Sequence, residues 1–361
     1  MWRSTPVAMV VVGSLAGSAA GQVQIPPRYE IVQITENPYK ESRPAINNHA
    51  QCVFRGRLGA NEFSDEIFLY DDGELIRLTD DGVRDTDPDI NDDGTIVWSR
   101  GIGPDGPYGP TLEIVMWQDG ELTRLTDDDV DDFAPQINNL GHVVWYKWIG
   151  GGCEDSNAVV CFYDASTIEQ ISDADWSHCS PAINDHDWIA WTRYDFCQEP
   201  WWDSEIMLYA PGGEPEVISP PETYEPHHPT INNSGQVAWT FTVDPDTGQN
   251  GIEVWGDGVV TLFTDSGIGP DLNDRGDMCF YRWYDDEETY QMWLYLKGEF
   301  YQLSDDPFWN VDGDINNAGE VVWSSGQPLW GVDIRLLRLV PANGMDPGNG
   351  PDIRDVRPLD P

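Results

Sequence analysis

The hydrophobic positions of the chain fall into short runs that are separated by turn-forming residues, and the order of these runs repeats. A string Pro-x-Ile-Asn, such as Pro44–Asn47, opens each repeat, and a tight turn follows it. The next run is apolar and ends in an aromatic residue such as Trp98. Two further runs, exemplified by Glu66–Tyr70 and Leu75–Asp80, are joined by the turn Asp71-Asp72-Gly73. Runs of this length between turn signals predict four β-strands per repeat, which we name A to D.

The repeat occurs seven times at intervals of 41 to 48 residues. Its first residues are Pro44, Pro88, Pro135, Pro181, Pro229, Pro270 and, where the Pro is replaced, Gly313. Seven copies of this period predict an all-β fold, a seven-bladed β-propeller over residues 29–340. The seventh copy ends after a strand C, Asp333–Leu337, and Tyr29–Thr35 resembles a strand D without a repeat of its own. We expect these two strands to pair, which closes the ring and removes two exposed sheet edges.

The two ends of the chain differ in composition from the repeats. Arg3, an apolar run and the small residues up to Gly21 predict a secretory signal peptide over residues 1–21 and export to the periplasm or the medium. No later run is apolar for 18 residues, so no transmembrane segment is expected. Residues 341–361 are rich in Pro, Gly and Asp and predict a flexible tail. We expect a monomer.

The formal charge is −45, from 64 acidic and 19 basic residues. Such a surface repels phosphates and anionic lipid headgroups, so neither nucleic acid nor a membrane surface is an expected partner. Either the acidity keeps the protein soluble in a salty habitat, or it gathers cations. Acid runs such as Asp128, Asp129 and Asp131 repel one another without counterions, so they predict weak divalent-cation binding on the D–A loops.

Six cysteines raise the question of disulfides in an exported protein. Cys153 and Cys161 lie in the third copy, and Cys179 and Cys197 in the fourth, so we expect one bridge within each copy. The remaining two, at positions 52 and 279, sit inside apolar runs and predict buried thiols.

The repeat resembles that of the TolB-type propellers, the PD40 repeat, which is related to WD40. Leu78-Thr79-Asp80 leads to Pro88-Asp89-Ile90-Asn91-Asp92-Asp93-Gly94-Thr95-Ile96-Val97-Trp98 in the register of that family. Ile replaces the family's aromatic residue, Asn replaces its Ser, and its second Pro is missing. The resemblance implies the propeller fold. The family includes partner-binding scaffolds, peptidase propeller domains and oligogalacturonate lyases, so it implies no single function.

Two functions remain open, besides a structural or calcium-buffering role in the cell envelope. Variable D–A and B–C loops share one face, and they carry aromatic residues that the repeat does not require: Tyr108, Trp148, Trp201, Trp202, Trp283 and Trp330. Aromatic planes beside carboxylates predict a module that binds a protein or a glycan without catalysis. The alternative is a polysaccharide-acting lyase or hydrolase at the channel mouth. The resemblance to the lyases implies a divalent metal there, for which His178, His227 and His228 are the candidate ligands. No Gly-x-Ser-x-Gly motif is present, which argues against a serine peptidase.

Overall fold

The computed structural model describes residues 23–37, 39–57, 65–106, 109–150, 157–194, 204–285, 287–327 and 331–340. Over these residues the protein is all-β, with 28 strands and no helix. The strands are β1 Tyr29–Gln33, β2 Lys40–Ile46, β3 Cys52–Arg57, β4 Asp65–Asp71, β5 Glu74–Arg77, β6 Asp85–Ile90, β7 Ile96–Gly106, β8 Gly109–Gln118, β9 Glu121–Arg124, β10 Asp132–Ile137, β11 Val143–Trp148, β12 Ala158–Tyr163, β13 Ile168–Gln170, β14 Ser177–Ile183, β15 Ile189–Tyr194, β16 Ser204–Tyr209, β17 Glu216–Val217, β18 His227–Ile231, β19 Val237–Asp244, β20 Gln249–Gly256, β21 Val259–Thr264, β22 Ile268–Leu272, β23 Met278–Tyr284, β24 Thr289–Leu296, β25 Glu299–Gln302, β26 Trp309–Ile315, β27 Val321–Gln327 and β28 Gly331–Leu339.

Each repeat forms a four-stranded antiparallel sheet in the predicted order A-B-C-D. Five such sheets run from β6-β7-β8-β9 to β22-β23-β24-β25, and β2-β3-β4-β5 has the same order. In the seventh copy, β26, β27 and β28 are followed by β1, which pairs with β28 in a register that begins at Tyr29 and Leu339. A single parallel pair, Lys40 with Val332, links this sheet to β2. The A–B and C–D turns therefore share one end of every sheet, here named the turn face. The B–C and D–A loops share the other end, the loop face.

The hydrophobic core lies between successive sheets. One cluster combines Val53 and Ile67 of the first copy with Ile96, Trp98 and Val115 of the second. The aromatic residues that end strand B are buried in every copy: Phe54, Trp98, Trp145, Trp191, Trp239, Phe280 and Trp323. These repeated aromatics are core residues, as their once-per-repeat spacing predicts.

The asparagine of Pro-x-Ile-Asn joins each copy to the next. In the third copy, Asn138 Oδ1 accepts hydrogen bonds from the backbone N–H groups of Leu140 and His142, which fixes the A–B turn. Its Nδ2 donates to the carbonyl of Asn184 in the fourth copy at 2.9 Å. We name the seven equivalent residues the asparagine ring: Asn47, Asn91, Asn138, Asn184, Asn232, Asn273 and Asn316. The last of them donates to the carbonyl of the first at 3.0 Å, so the circuit of hydrogen bonds has no free end.

The cysteines differ from the sequence expectation. Cys161 and Cys179 are free thiols, so the predicted bridges to Cys153 and Cys197, which lie outside the described residues, do not form. Cys161 faces the core between the third sheet and its neighbour, where packing occupies its sulfur. The remaining two, Cys52 and Cys279, are buried thiols as predicted.

The asparagine ring predicts a stability effect. Replacing Asn138 by Ala leaves two turn N–H groups and the carbonyl of Asn184 without their side-chain partner. Because each buried unpaired group costs about 1–3 kcal/mol, we expect the free energy of unfolding in urea to fall by about 2–4 kcal/mol. The neighbouring Leu140→Ala, at an exposed position of the same turn, is the control and should cost less than half as much. Equal losses for the two variants would contradict the proposed importance of the ring.

Candidate functional site

Each strand A carries a β-bulge just before its conserved proline position. At every bulge the strand pairing shifts register and one residue takes a positive φ between 48° and 59°. We name these seven positions the bulge ring: Arg43, Asp87, Ala134, Ser180, His228, Gly269 and Asp312. Bulges re-aim side chains, and positive φ values at non-glycine residues concentrate at functional sites. The repeat specifies the proline, isoleucine and asparagine that follow but leaves this position variable.

Four members of the bulge ring, Arg43, Asp87, His228 and Asp312, lie near one another on the loop face, and we name this place the channel mouth. Arg43 Nε lies 3.4 Å from Asp87 Oδ1. Burial lowers the pKa of Arg43, but Asp87 and Asp312 outweigh it and hold that pKa above its usual value. The charge of Arg43 also acts on Tyr146, Tyr281 and His228, so six of the seven copies contribute to one site. Of this set, the sequence predicted only His228 as a site residue. The signal for the others was that the position before the proline varies between copies, while the isoleucine position is always Ile or Leu and the asparagine position is always Asn.

His228 lies in this mouth beside His227, with ring centroids 5.0 Å apart. Burial, with His227 and Arg43, lowers the pKa of His228 to about 4, so its imidazole is neutral at physiological pH. His227 Nδ1 lies 2.7 Å from the carbonyl oxygen of Glu225, which can only accept. The proton of neutral His227 therefore sits on Nδ1, and Nε2 keeps a lone pair.

An exposed aromatic cluster adjoins the mouth. Tyr281 contacts Tyr290 edge to face at 5.4 Å, and Tyr290 contacts both Trp283 at 4.8 Å and Trp309 at 5.4 Å. The two tryptophans are each 38% exposed, which leaves ring surface open to a ligand. Trp283 and Tyr290 line a cavity of ≈ 520 Å³, whose other walls carry Thr247, Gln249, Asn250, Ser266 and Asp285. Rings and hydrogen-bonding groups thus face one concave space.

The other predicted aromatic positions lie apart from this cluster or outside the described residues. Trp148 is exposed at the end of β11, where its backbone N–H donates to the backbone carbonyl of Asp131. Four of them, Tyr108, Trp201, Trp202 and Trp330, lie outside the described residues. Trp283 is therefore the predicted aromatic residue that the structure brings into a cavity.

His178 has a different setting from His227 and His228. It is buried, and its Nδ1 accepts a 2.8 Å hydrogen bond from the indole of Trp191. Asp85, Asp132 and Asn310 stand at the same offset, thirteen residues before a strand-B tryptophan, and accept the same indole bond. Burial lowers the pKa of His178 to about 4, against the influence of Asp173. Because Nδ1 accepts, the proton of neutral His178 sits on Nε2, which lies 3.6 Å from Asp173 Oδ1. Neither ring nitrogen therefore offers a lone pair to a metal ion.

The acid runs of the D–A loops are largely paired within the protein. Asp128 forms an ion pair with Lys147, and Asp131 Oδ1 accepts the backbone N–H of Leu112 at 2.8 Å, while Asp129 is exposed. Over the described residues, Glu66, Asp81 and Asp85 are the three acidic side chains close enough to share a cation; neither the histidine trio nor Asp128, Asp129 and Asp131 forms such a set. Arg100 binds two of those carboxylates and Arg77 the third. These acids form an ion-pair network.

Three further carboxyl groups lie near one another in the interior, one residue after the proline position of their strands. Asp89 Oδ2 accepts the N–H of Ile137 at 2.8 Å, and Asp314 Oδ2 accepts that of Ile46 at 2.6 Å. Asp271 bonds the N–H of Ile315 in the same way. Burial raises the pKa of Asp89 to about 7 and, with Asp271 and Asp89 adding repulsion, raises the pKa of Asp314 well above its usual range.

No family model and no curated protein matches the sequence. Among solved structures, the chain is similar to the β-propeller domain of the trilobed protease from Pyrococcus furiosus, with a TM-score of 0.61 and 11% identity over 86% of this chain and 100% of that one. Pyrococcus horikoshii acylaminoacyl peptidase gives 0.61 and 13% over 83% of this chain, which spans about half (51%) of the peptidase chain. A polysaccharide lyase of family PL25, an ulvan lyase, gives 0.53 and 12% over 82% and 93%. At these identities the likeness shows the fold alone: the protein is a β-propeller. The described residues include no apolar helix of membrane-spanning length.

The buried carboxyl of Asp89 predicts a pH effect on stability. Its pKa is raised in the folded protein, so its favourable contribution is complete below about pH 4 and is lost as the pH rises through 7. Asp89→Asn removes that loss and should raise the free energy of unfolding at pH 8 by about 1–3 kcal/mol relative to its effect at pH 5. Urea unfolding at both pH values measures it, with exposed Asp246→Asn as control. Parallel pH profiles for wild type and Asp89→Asn would refute the assignment.

Proposed function

We propose that the protein is an exported, TolB-type propeller of seven blades that binds a glycan on its loop face without catalysis. The seven copies of the repeat and the family register of Leu78–Trp98 support the blade count and the family. The signal-like residues 1–21 support export, and the high acidity supports a monomer through self-repulsion.

Closure of the ring by the N-terminal strand is part of this proposal. In the first, second, third, fourth and sixth copies, a hydroxyl just after strand D accepts the N–H of a strand-C residue, as Thr79 does from Ile67. Thr35, at the end of β1, accepts the N–H of Ile334 in the same way at 2.9 Å. Thr35 thus makes the hydrogen bond that is typical of the end of a strand D, although it precedes its partner Ile334 by 299 residues. The return of the asparagine ring from Asn316 to Asn47 also supports closure.

The closure predicts a large effect of deleting residues 29–35. The deletion removes five backbone pairs with β28 and the partner of Ile334. We expect the melting temperature to fall by about 10 °C or more, since apolar burial and an entire sheet edge are lost. A chain that ends at Val340 is the control and should melt like the full chain. A deletion variant that melts within two or so degrees of that control would exclude closure by this strand.

The glycan proposal rests on the aromatic cluster beside its polar cavity. Tyrosine and tryptophan faces stack on the C–H surfaces of sugar rings, and amides and carboxylates bond their hydroxyl groups. A cavity of ≈ 520 Å³ is in the size range of small-ligand sites. Tyr281 joins this cavity to Arg43 and Asp312 at the channel mouth, which gives an extended path for a chain of sugars.

The negative charge of the protein favours a neutral glycan over an acidic one as the ligand. A formal charge of −45 repels an acidic polymer over distances of a Debye length, about 8–10 Å in physiological salt. Asp285 at the cavity and Asp87 and Asp312 at the mouth add local negative charge. Carboxylates of this kind accept hydroxyl hydrogens from neutral sugars.

The aromatic cluster predicts a loss of glycan affinity on substitution. Trp283→Ala and Trp309→Ala should each weaken binding of a neutral polysaccharide about tenfold or more, because each removes a stacking surface. Retardation in native gels that contain xylan, laminarin or galactomannan measures it. Tyr224→Ala, which removes a similarly exposed ring from another part of the chain, is the control. Absence of retardation by all three polymers, or equal retardation of every variant, would contradict the proposal.

The second candidate function is a polysaccharide-acting enzyme with its site at the channel mouth. The observation in its favour is the convergence of neutral His228 with Asp87, Asp312 and Tyr281, groups able to move protons, on a fold also found in an ulvan lyase. New reducing ends or unsaturated uronides, formed by wild type and lost in His228→Ala, would establish it in place of a non-catalytic role.

A further inference from the structure

A second concave site lies on the turn face, opposite the proposed glycan site. It is a cavity of ≈ 480 Å³ between the turns of the sixth, seventh and first copies. Its polar lining consists of Arg28, Tyr29, Asn48, Arg275, Lys297 and Asn317. Arg275 lies in the A–B turn of the sixth copy and Lys297 in its C–D turn, while Arg28 immediately precedes β1. Three cationic side chains thus meet at one cavity of a strongly acidic protein.

These three cations differ from most others in the protein. The chain has 19 Lys and Arg residues against 64 acids, so a basic side chain usually finds a carboxylate. Such pairs hold most of the described arginines: Arg43, Arg55, Arg57, Arg77, Arg100, Arg124, Arg193, Arg335 and Arg338. In the part of the chain that the structure describes, Arg28 and Lys297 have no such partner, and Arg275 approaches Asp277 only to 3.8 Å. Their charge remains available to a ligand.

The acids nearest the cavity are engaged in its wall. Asp277 is buried and accepts the backbone N–H of Lys297 at 2.8 Å and the amide of Asn273. Glu320 is buried and accepts the N–H of Leu339 and the amide of Asn316, each at 2.9 Å. Burial raises the pKa of Tyr29, with Arg275 and Arg28 acting against it and Glu320 and Asp277 with it. Asp277 and Glu320 therefore lie beneath the wall, and half-exposed Asp274 accepts the amide of Asn317 at 2.7 Å, whereas Arg28, Arg275 and Lys297 are exposed.

We propose that this cavity binds a multivalent oxyanion. The rest of the protein is strongly acidic and repels anions. Two guanidinium groups offer paired N–H donors that match the oxygens of carboxylate, sulfate or phosphate, and the ammonium of Lys297 adds a third point charge. A ligand with at least two negative charges on adjacent groups satisfies all three cations. Because the site lies on the turn face, its occupation leaves the loop face free, so it is independent of the glycan proposal.

The test compares anions at equal ionic strength on the full mature chain. We expect citrate, sulfate or phosphate to raise the melting temperature above the value in sodium chloride, and calorimetric titration to give one site per chain. Arg275→Gln/Lys297→Gln should weaken that binding at least tenfold. The matched control is Lys40→Gln/Arg84→Gln, which removes the same charge from two basic residues that lie outside the cavity. It should bind as wild type does.

Each outcome decides the proposal. Citrate, sulfate and phosphate also stabilise folded proteins by exclusion from the surface, so a response supports the site only where Arg275→Gln/Lys297→Gln loses it and the control keeps it. Such a response to citrate alone identifies a carboxylate-bearing ligand, and one to sulfate and phosphate identifies a tetrahedral one. A rise that both variants keep overturns the site. Identical curves in all four salts overturn it, as does equal loss in the cavity variant and the control, since that reflects net charge only. Arg28→Gln is a second variant that keeps the test valid if Arg275→Gln/Lys297→Gln fails to fold.

Discussion

The asparagine side chain at the end of strand A is the interaction on which the rest of the structure depends. Its carbonyl oxygen closes the turn of its own copy, and its amide nitrogen holds the backbone of the next copy, as Asn138 does toward Asn184. Local turn geometry and the placement of neighbouring sheets therefore cannot vary independently. A second ring of hydrogen bonds runs beside the asparagine ring and is formed by the residues that directly follow the ring asparagines, such as Asn139 and Asp185. The backbone N–H of each residue donates to the side chain of its equivalent in the next copy. Because the asparagine holds every strand A in the same way at the turn face, the opposite ends of these strands lie at corresponding positions on the loop face.

The bulge at that other end explains where chemical variety is tolerated. The asparagine is present in all seven copies, whereas the proline is replaced by Gly313 in the seventh and the isoleucine by Leu272 in the sixth. The residue before the proline supplies only a positive φ, and its side chain leaves the sheet toward the channel. Arg43, Asp87 and His228 occupy this position without disturbing the core. The repeat thus leaves this position open to different side chains in most copies, whereas at Gly269 a Cβ atom would come within 2.6 Å of the Tyr281 ring.

Sequence reasoning reached the strand order, the core aromatics and the asparagine motif, because each recurs once per copy and periodic signals reinforce one another. It misassigned Cys161 and Cys179, since proximity in sequence says nothing about which way a strand residue faces. It grouped His178 with His227 and His228, although the offset of thirteen residues to Trp191 marks it as that tryptophan's partner. The aromatic cluster of Trp283, Tyr290 and Trp309 depends on loops of the sixth and seventh copies approaching one another, and no local pattern encodes that approach.

The formal charge of −45 does not describe how charge is distributed in the folded protein. Burial raises the pKa of Glu41, Asp85, Asp89 and Asp132 to about 7, so these acids are only partly ionised at neutral pH. Several of them accept bonds from Trp or Thr side chains and act as polar core residues rather than as surface charge. The remaining negative charge is distributed unevenly over the surface, because on the loop face cations such as Arg100 and Lys147 form ion pairs with nearby acids. Against that background, Arg28, Arg275 and Lys297 are exposed cations around one cavity on the turn face, and the proposed anion site rests on the pairing of guanidinium and ammonium groups with oxyanions.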